Sequence, residues 1–241
     1  MRKLFIYLSC ILLGLVLLAN LQFGEKDNLP AQEVLTSSPV YERTEVISSP
    51  NEAKQLLSDG NERYTTGKTL KKDISINKRS ELLEKGQHPF AVIVSCSDSR
   101  VPPEILFDQA LGDLFVIRVA GNVITPVELG SVEYAVEHLG TPLVVVLGHE
   151  ACGAVTAALQ AEGGHGNIGE IIKIIKPAVD KAKGMGLNDK DVLDKSIDLN
   201  VKNTREDILE SPIIQERVKS NRLQIIGMKY DLDQGNLQYI D

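Results

Sequence analysis

Apolar residues fall into three regimes along the 241-residue chain. Residues 4–19 form one apolar run, broken only by Ser9 and Gly14. Residues 24–48 are polar, contain Pro30 and Pro39, and show no hydrophobic period, which is the pattern of a tether. From residue 49 the apolar positions return in short periodic blocks, as expected of one folded domain over 49–241. The first block is helical. Ser49-Pro50-Asn51-Glu52 combines a capping box with proline at the first helical position. The helix it opens runs to about residue 63, with Ala53, Leu56 and Leu57 on its buried side. A second helix fits 78–85, opened by Asn77 and stopped by Gly86.

The middle of the chain alternates. Phe90-Ala91-Val92-Ile93-Val94 is a continuous apolar run, the mark of a strand covered on both faces. Residues 114–119 and 142–147 repeat the pattern, and helical stretches at 103–107 and 127–139 separate the three. Strands joined through helices imply crossovers and hence a parallel sheet, so the fold class is α/β. An alanine-rich helix over 151–161 follows. Then come a glycine loop at 163–167, helical periodicity over 168–185, and a surface-charged helical stretch over 191–220 with a break at Ser211-Pro212. A strand over 223–230 turns through Asp233-Gln234-Gly235-Asn236 into a last strand at 237–240, a hairpin.

The apolar run at the start follows Met1-Arg2-Lys3, a short basic lead. Its length suits the hydrophobic part of a secretory signal and falls short of the ~20 residues a membrane span needs. Residues 1–23 therefore read as a signal peptide ending near Ala19, or as a retained N-terminal membrane anchor through 4–19. Either way the domain is exported. The formal net charge of −7, with no lysine or arginine cluster, excludes nucleic acid as a partner. Of three cysteines, Cys10 lies inside the apolar run, which leaves Cys96 and Cys152 for the domain. In an oxidising compartment two cysteines can form a disulfide.

Their neighbours point elsewhere. Cys96 follows the first strand within Ser95-Cys96-Ser97-Asp98-Ser99-Arg100, and His149 and Cys152 follow the third within Gly148-His149-Glu150-Ala151-Cys152-Gly153. In a parallel sheet the carboxyl ends of the strands share one edge, where ligands bind. Two thiolates and an imidazole delivered to that edge suit zinc, and three protein ligands leave a fourth position open for catalysis. Asp98 either takes that position, closing the site, or pairs with Arg100 and leaves it to water.

These motifs resemble the β-class carbonic anhydrases. So do Gly60-Asn61-x-Arg63-Tyr64, Gly112-Asp113-Leu114-Phe115-Val116-x-Arg118, Gly121-Asn122 and Gly227-x-x-Tyr230. The likeness spans about 51–241. It implies a sheet of four parallel strands in the order 2-1-3-4 with an antiparallel edge strand, in a homodimer or a dimer of dimers. It places the early helix at 49–63 across a partner subunit. It also implies reversible hydration of carbon dioxide to bicarbonate and a proton by a zinc-bound hydroxide, with Asp98, oriented by Arg100, accepting a hydrogen bond from it. Gln109 resembles a substrate-facing glutamine of some relatives. Gly153 would offer a backbone donor to substrate at a helix start, or serve only packing. Arg118 would buttress the metal loops or cap the sheet edge. His165 sits in the glycine loop, as an exposed residue or a proton shuttle, while His88 and His138 have no ligand's setting. The competing readings are hydrolysis of carbon disulfide or carbonyl sulfide on the same scaffold, a non-catalytic zinc-binding protein, and a disulfide between Cys96 and Cys152.

Overall fold

A computed structural model describes residues 39–160 and 166–241. The signal or anchor at 1–23, the tether as far as residue 38, and His165 lie outside the described residues. Five strands form one sheet in the order β2-β1-β3-β4-β5. They are β1 (Ala91–Ser95), β2 (Leu114–Arg118), β3 (Leu143–His149), β4 (Gln224–Tyr230) and β5 (Leu237–Ile240). The first four are parallel, and β5 returns antiparallel to β4 through the expected hairpin. β1 and β3, the central pair, are buried along their whole length. Each therefore reads as an unbroken apolar run rather than an alternation.

Side chains alternate between two covered faces, as strand geometry requires. Ile93 and Val145 point into a cluster with Ala53, Leu57, Leu106 and Phe107, while Val92, Val94, Val144 and Val146 point into another with Val132, Val201, Ile208 and Ile214. Helix α1 (Pro50–Thr65) covers the first face. Gly60 lets it approach: a Cβ there would lie 1.8 Å from the Phe107 carbonyl oxygen. Asn61 then donates to the Leu106 and Gly235 carbonyls, and Arg63 pairs with Asp108, so the Gly-Asn-x-Arg motif is a docking device. The remaining helices are α2 (Ile76–Lys85), α3 (Pro103–Leu106), α4 (Pro126–Glu137), α5 (Gly153–Gln160), α6 (Ile168–Lys183), α7 (Asp189–Leu209) and α8 (Pro212–Lys219). A 3-10 turn spans Ala120–Asn122.

Several boundaries move. Residues 39–48, expected as tether, pack on the domain: Tyr41 donates to Gln109 Oε1, Arg43 pairs with Asp113, and Ile47 is buried among the residues of the first face. Their partners lie some 70 positions away, so local polarity said nothing about the docking. Helix α2 is capped by Ser75, whose side chain accepts from Lys78 N, and not by Asn77. β3 runs on to His149 because backbone pairing with β4 continues past the last apolar residue, Leu147, to the pair His149–Tyr230. The following helix begins at Gly153 instead of Ala151.

Candidate metal centre

The strand order puts β1 beside β3, so the residues that leave their carboxyl ends emerge together. Cys96 Sγ, a His149 ring nitrogen and Cys152 Sγ all lie within 4.8 Å of one another, and all three residues are buried. Both cysteines are free thiols, which removes the disulfide reading. Two local features converge the second pair. His149 ends β3, and Ala151 adopts φ 48°, a left-handed turn that swings the chain back. Cys152 then sits at the head of α5, with its carbonyl accepting from Thr156 N. Backbone donors at a helix start favour an ionised sulfur.

The donor set fits a divalent cation. His149 Nδ1 lies 2.8 Å from the Glu150 carbonyl oxygen, so it carries the proton and leaves Nε2 as a lone pair. That Nε2 is buried without a hydrogen-bond partner. A buried polar atom with no partner is costly, and a metal removes the cost. The sulfurs agree. Cys96 is pulled well below the usual thiol range, against burial, by a hydrogen bond from Cys152, with the N–H of Gly121 adding to it. Cys152 is pushed well above that range by the same sharing with Cys96 and by burial. Two sulfurs alone can keep only one negative charge, whereas a divalent cation lets both ionise.

Two arginines hold the first loop. Arg118, at the end of β2, donates Nε to the Cys96 carbonyl at 3.0 Å and Nη2 to the Asp98 carbonyl, so it buttresses the loop. Asp98 Oδ1 accepts from the backbone N and the Nε of Arg100, both at 2.9 Å, and Oδ2 accepts from Nη2 at 2.8 Å. The Arg100 fork is the main reason the Asp98 carboxyl is held far below the usual carboxylate range. Asp98 Oδ2 also stands 3.9 Å from His149 Nε2, at the edge of the cluster.

The softer assignments divide. Gln109 is buried, and its amide is spent within the fold: Nε2 donates to the Phe107 and Leu56 carbonyls, and Oε1 accepts from Tyr41. Those bonds set a structural task against the substrate-facing role that its resemblance implied. At Gly153 a Cβ would meet nothing within 4 Å, so close packing does not require glycine there. His88 offers its carbonyl to Arg43, and His138 is exposed at the end of α4; neither touches the cluster. The residue whose contribution went unread is Gly121. Its N–H points at Cys96 Sγ from 3.2 Å, and the only trace in the sequence is a glycine-asparagine pair just past a strand.

Known proteins share this arrangement. A family model described as carbonic anhydrase matches residues 91–237. Carbonic anhydrase 2 of Mycobacterium tuberculosis is 41% identical over 195 residues, covering 78% of this chain and 91% of that protein. The carbonic anhydrase of Mycolicibacterium smegmatis is 39% identical over 196 residues, covering 79% and 93%. Among solved structures, a β-carbonic anhydrase of Aspergillus fumigatus superposes with a TM-score of 0.62 at 31% identity, covering 68% of this chain and 83% of that one. A Coccomyxa β-carbonic anhydrase, solved with acetazolamide, gives 0.61 at 32% identity over 68% and 78%. With the order of the sheet and the Cys-His-Cys cluster in place, the chain belongs to the carbonic anhydrase family, in its β class, and its reaction is the hydration of carbon dioxide.

Proposed function

We propose that this carbonic anhydrase works as an exported homodimer in which Asp98, held by Arg100, stays off the metal at rest and orients the water that attacks carbon dioxide. The observation behind it is the Asp98–Arg100 pair, which engages both carboxylate oxygens at 2.8–2.9 Å. Cys96, His149 and Cys152 would hold zinc, which would supply a Lewis acid to activate water. The chain does the rest. Cys96 and Cys152 together cancel the charge of a divalent cation, so activity should rise above neutral pH. His149 is fixed in one tautomer by the Glu150 carbonyl. Asp98 stays ionised and can only accept a hydrogen bond, so it selects the nucleophile's orientation by its proton. The N–H of Gly153, the first residue of α5, is assigned to a substrate oxygen.

Support for a homodimer comes from α2. No residue of this helix is buried, and Ile76 and Leu83 are exposed beside Ile74. By contrast α1, the element expected to reach a partner, buries Ala53 and Leu57 in its own core. Leu83→Asp should turn a dimer into monomer by light scattering; an unchanged mass would remove α2 from the interface. Export rests on the basic lead and the apolar run at 4–19, whether as a cleaved signal or a retained anchor. Among the described residues no helix is long and apolar enough to cross a membrane. Deleting residues 1–23 should leave the enzyme in the compartment of synthesis.

Metal analysis with stopped-flow hydration of the purified protein tests the reaction. About one zinc per chain and turnover that climbs above neutrality are expected. Zinc without turnover would make the chain a metal holder, and faster hydrolysis of carbonyl sulfide than hydration of carbon dioxide would reassign the substrate.

A further inference from the structure

The turn Ala120–Asn122 has an unusual backbone. Gly121 (φ 73°) and Asn122 (φ 46°) both lie in the left-handed region, and Asn122 is not a glycine. Two such residues in succession do not hold their shape unaided, and the surroundings must over-determine them. This turn carries the Gly121 N–H that reaches Cys96 Sγ at 3.2 Å.

What fixes it comes from about eighty positions later. Asn200 and Thr204, one helical turn apart on α7, are both almost fully buried. Asn200 Nδ2 donates to the Gly121 carbonyl at 2.7 Å, and Thr204 Oγ1 donates to the Asn122 carbonyl at 3.2 Å. Two consecutive left-handed residues are thus gripped by two side-chain donors one turn apart on one helix face. The helix is registered independently. Val201, between the two donors, packs where a Cβ on Gly148 would come within 2.5 Å of Cγ2 and one on Gly227 within 2.8 Å of Cγ1. Gly148 and Gly227 lie on the neighbouring strands β3 and β4. The same helix therefore abuts the residue before His149 and holds the turn that faces Cys96. Neither Asn200 nor Thr204 has a contact with Cys96, His149 or Cys152 among its hydrogen bonds.

We propose that Asn200 and Thr204 are positioning residues for the metal thiolate of Cys96, acting through the Gly121 N–H. This rests on the reading of Cys96, His149 and Cys152 as the zinc site. A donor aimed at a metal-bound sulfur withdraws electron density from it and fixes its direction, and outer-shell partners of this kind commonly change metal affinity by ~10–100-fold.

The test replaces zinc with cobalt(II) in the full chain and reads the sulfur-to-cobalt charge-transfer band together with the rate of metal release to a chelator. Loss of the Gly121 donor raises the energy of the sulfur lone pair. Asn200→Ala is therefore expected to move the band to longer wavelength and speed metal release by about tenfold or more. Thr204→Val, close in shape and lacking the hydroxyl, should move both in the same direction by less. Thr204→Ser, which keeps the donor, should restore both to wild type. If Asn200→Ala does not fold, the Thr204 pair decides alone. A band and release rate unchanged in folded Asn200→Ala or in Thr204→Val would overturn the proposal, even if thermal stability fell. So would Thr204→Ser behaving like Thr204→Val. Wild-type protein that bound no cobalt would instead overturn the metal site itself.

Discussion

The two segments that bring ligands to the metal are built on opposite plans. Cys96–Arg100 is a loop held by charged side chains near solvent: the Arg100 side chain is 53% exposed and that of Asp98 17%. His149–Cys152 is fixed by backbone. His149 pairs in register with Tyr230, Glu150 N donates to the Tyr230 carbonyl, and both ligand residues are almost wholly buried. Charged groups at a surface exchange partners readily, whereas a buried ladder has no alternative partners to exchange with. Asp98, the residue proposed to orient the attacking water, lies on the first segment. The second serves as a fixed, buried wall beside it.

The harshest way to break this division is to remove a ligand from the fixed wall. Cys152→Ser should reduce zinc from about one per chain to near none and abolish hydration with it, since a hydroxyl does not replace a thiolate for this metal. Full zinc occupancy by elemental analysis would show that Cys152 is not a ligand. On the loop side the effects should separate. Asp98→Asn should keep the metal while lowering kcat by about a hundredfold, the range in which a positioned acid–base group acts. Parallel loss of zinc would instead mark Asp98 as a structural ligand.

The same contrast governs what could be read from the sequence. β1 and β3 were legible because burial on both faces leaves an unbroken apolar run, and the ligands were legible because each follows such a run within a dense motif. His149 read as lying just past the strand only because apolarity stops at Leu147, while backbone pairing, which carries no side-chain signature, continues. Residues 39–48 read as tether because Tyr41 and Arg43 are polar; their partners Gln109 and Asp113 are supplied by the fold. Asn200 and Thr204 were the least legible. They lie in a helix whose charged residues advertise a solvated face, and nothing in their spacing says that two of its polar side chains turn inward.

A smaller perturbation of the fixed wall leaves all ligands in place. In Gly148→Ala the new methyl would fall 2.5 Å from Val201 Cγ2, between β3 and α7 in a region with no free volume. Overpacking of this kind costs roughly 1–3 kcal/mol. A urea midpoint lowered by that amount, with faster zinc release, is expected. An unchanged midpoint would mean that α7 is not seated on the residue preceding His149.

The mildest change tests whether the loop depends on the geometry of its arginine or only on its charge. Arg100→Lys keeps a cation beside Asp98 but loses the planar fork that engages both carboxylate oxygens. A lysine at this exposed site is a mobile point charge, so Asp98 should be freed for part of the time to turn toward the metal. Zinc content should not move, because no ligand of the buried wall is touched. Hydration should fall by a few-fold, and most of the loss should appear in kcat, because the fork orients the nucleophile and does not hold the substrate. Were KM to rise while kcat stayed level, Arg100 would be contacting carbon dioxide or bicarbonate directly. The loop would then be a binding surface, and its mobility would have no bearing on Asp98.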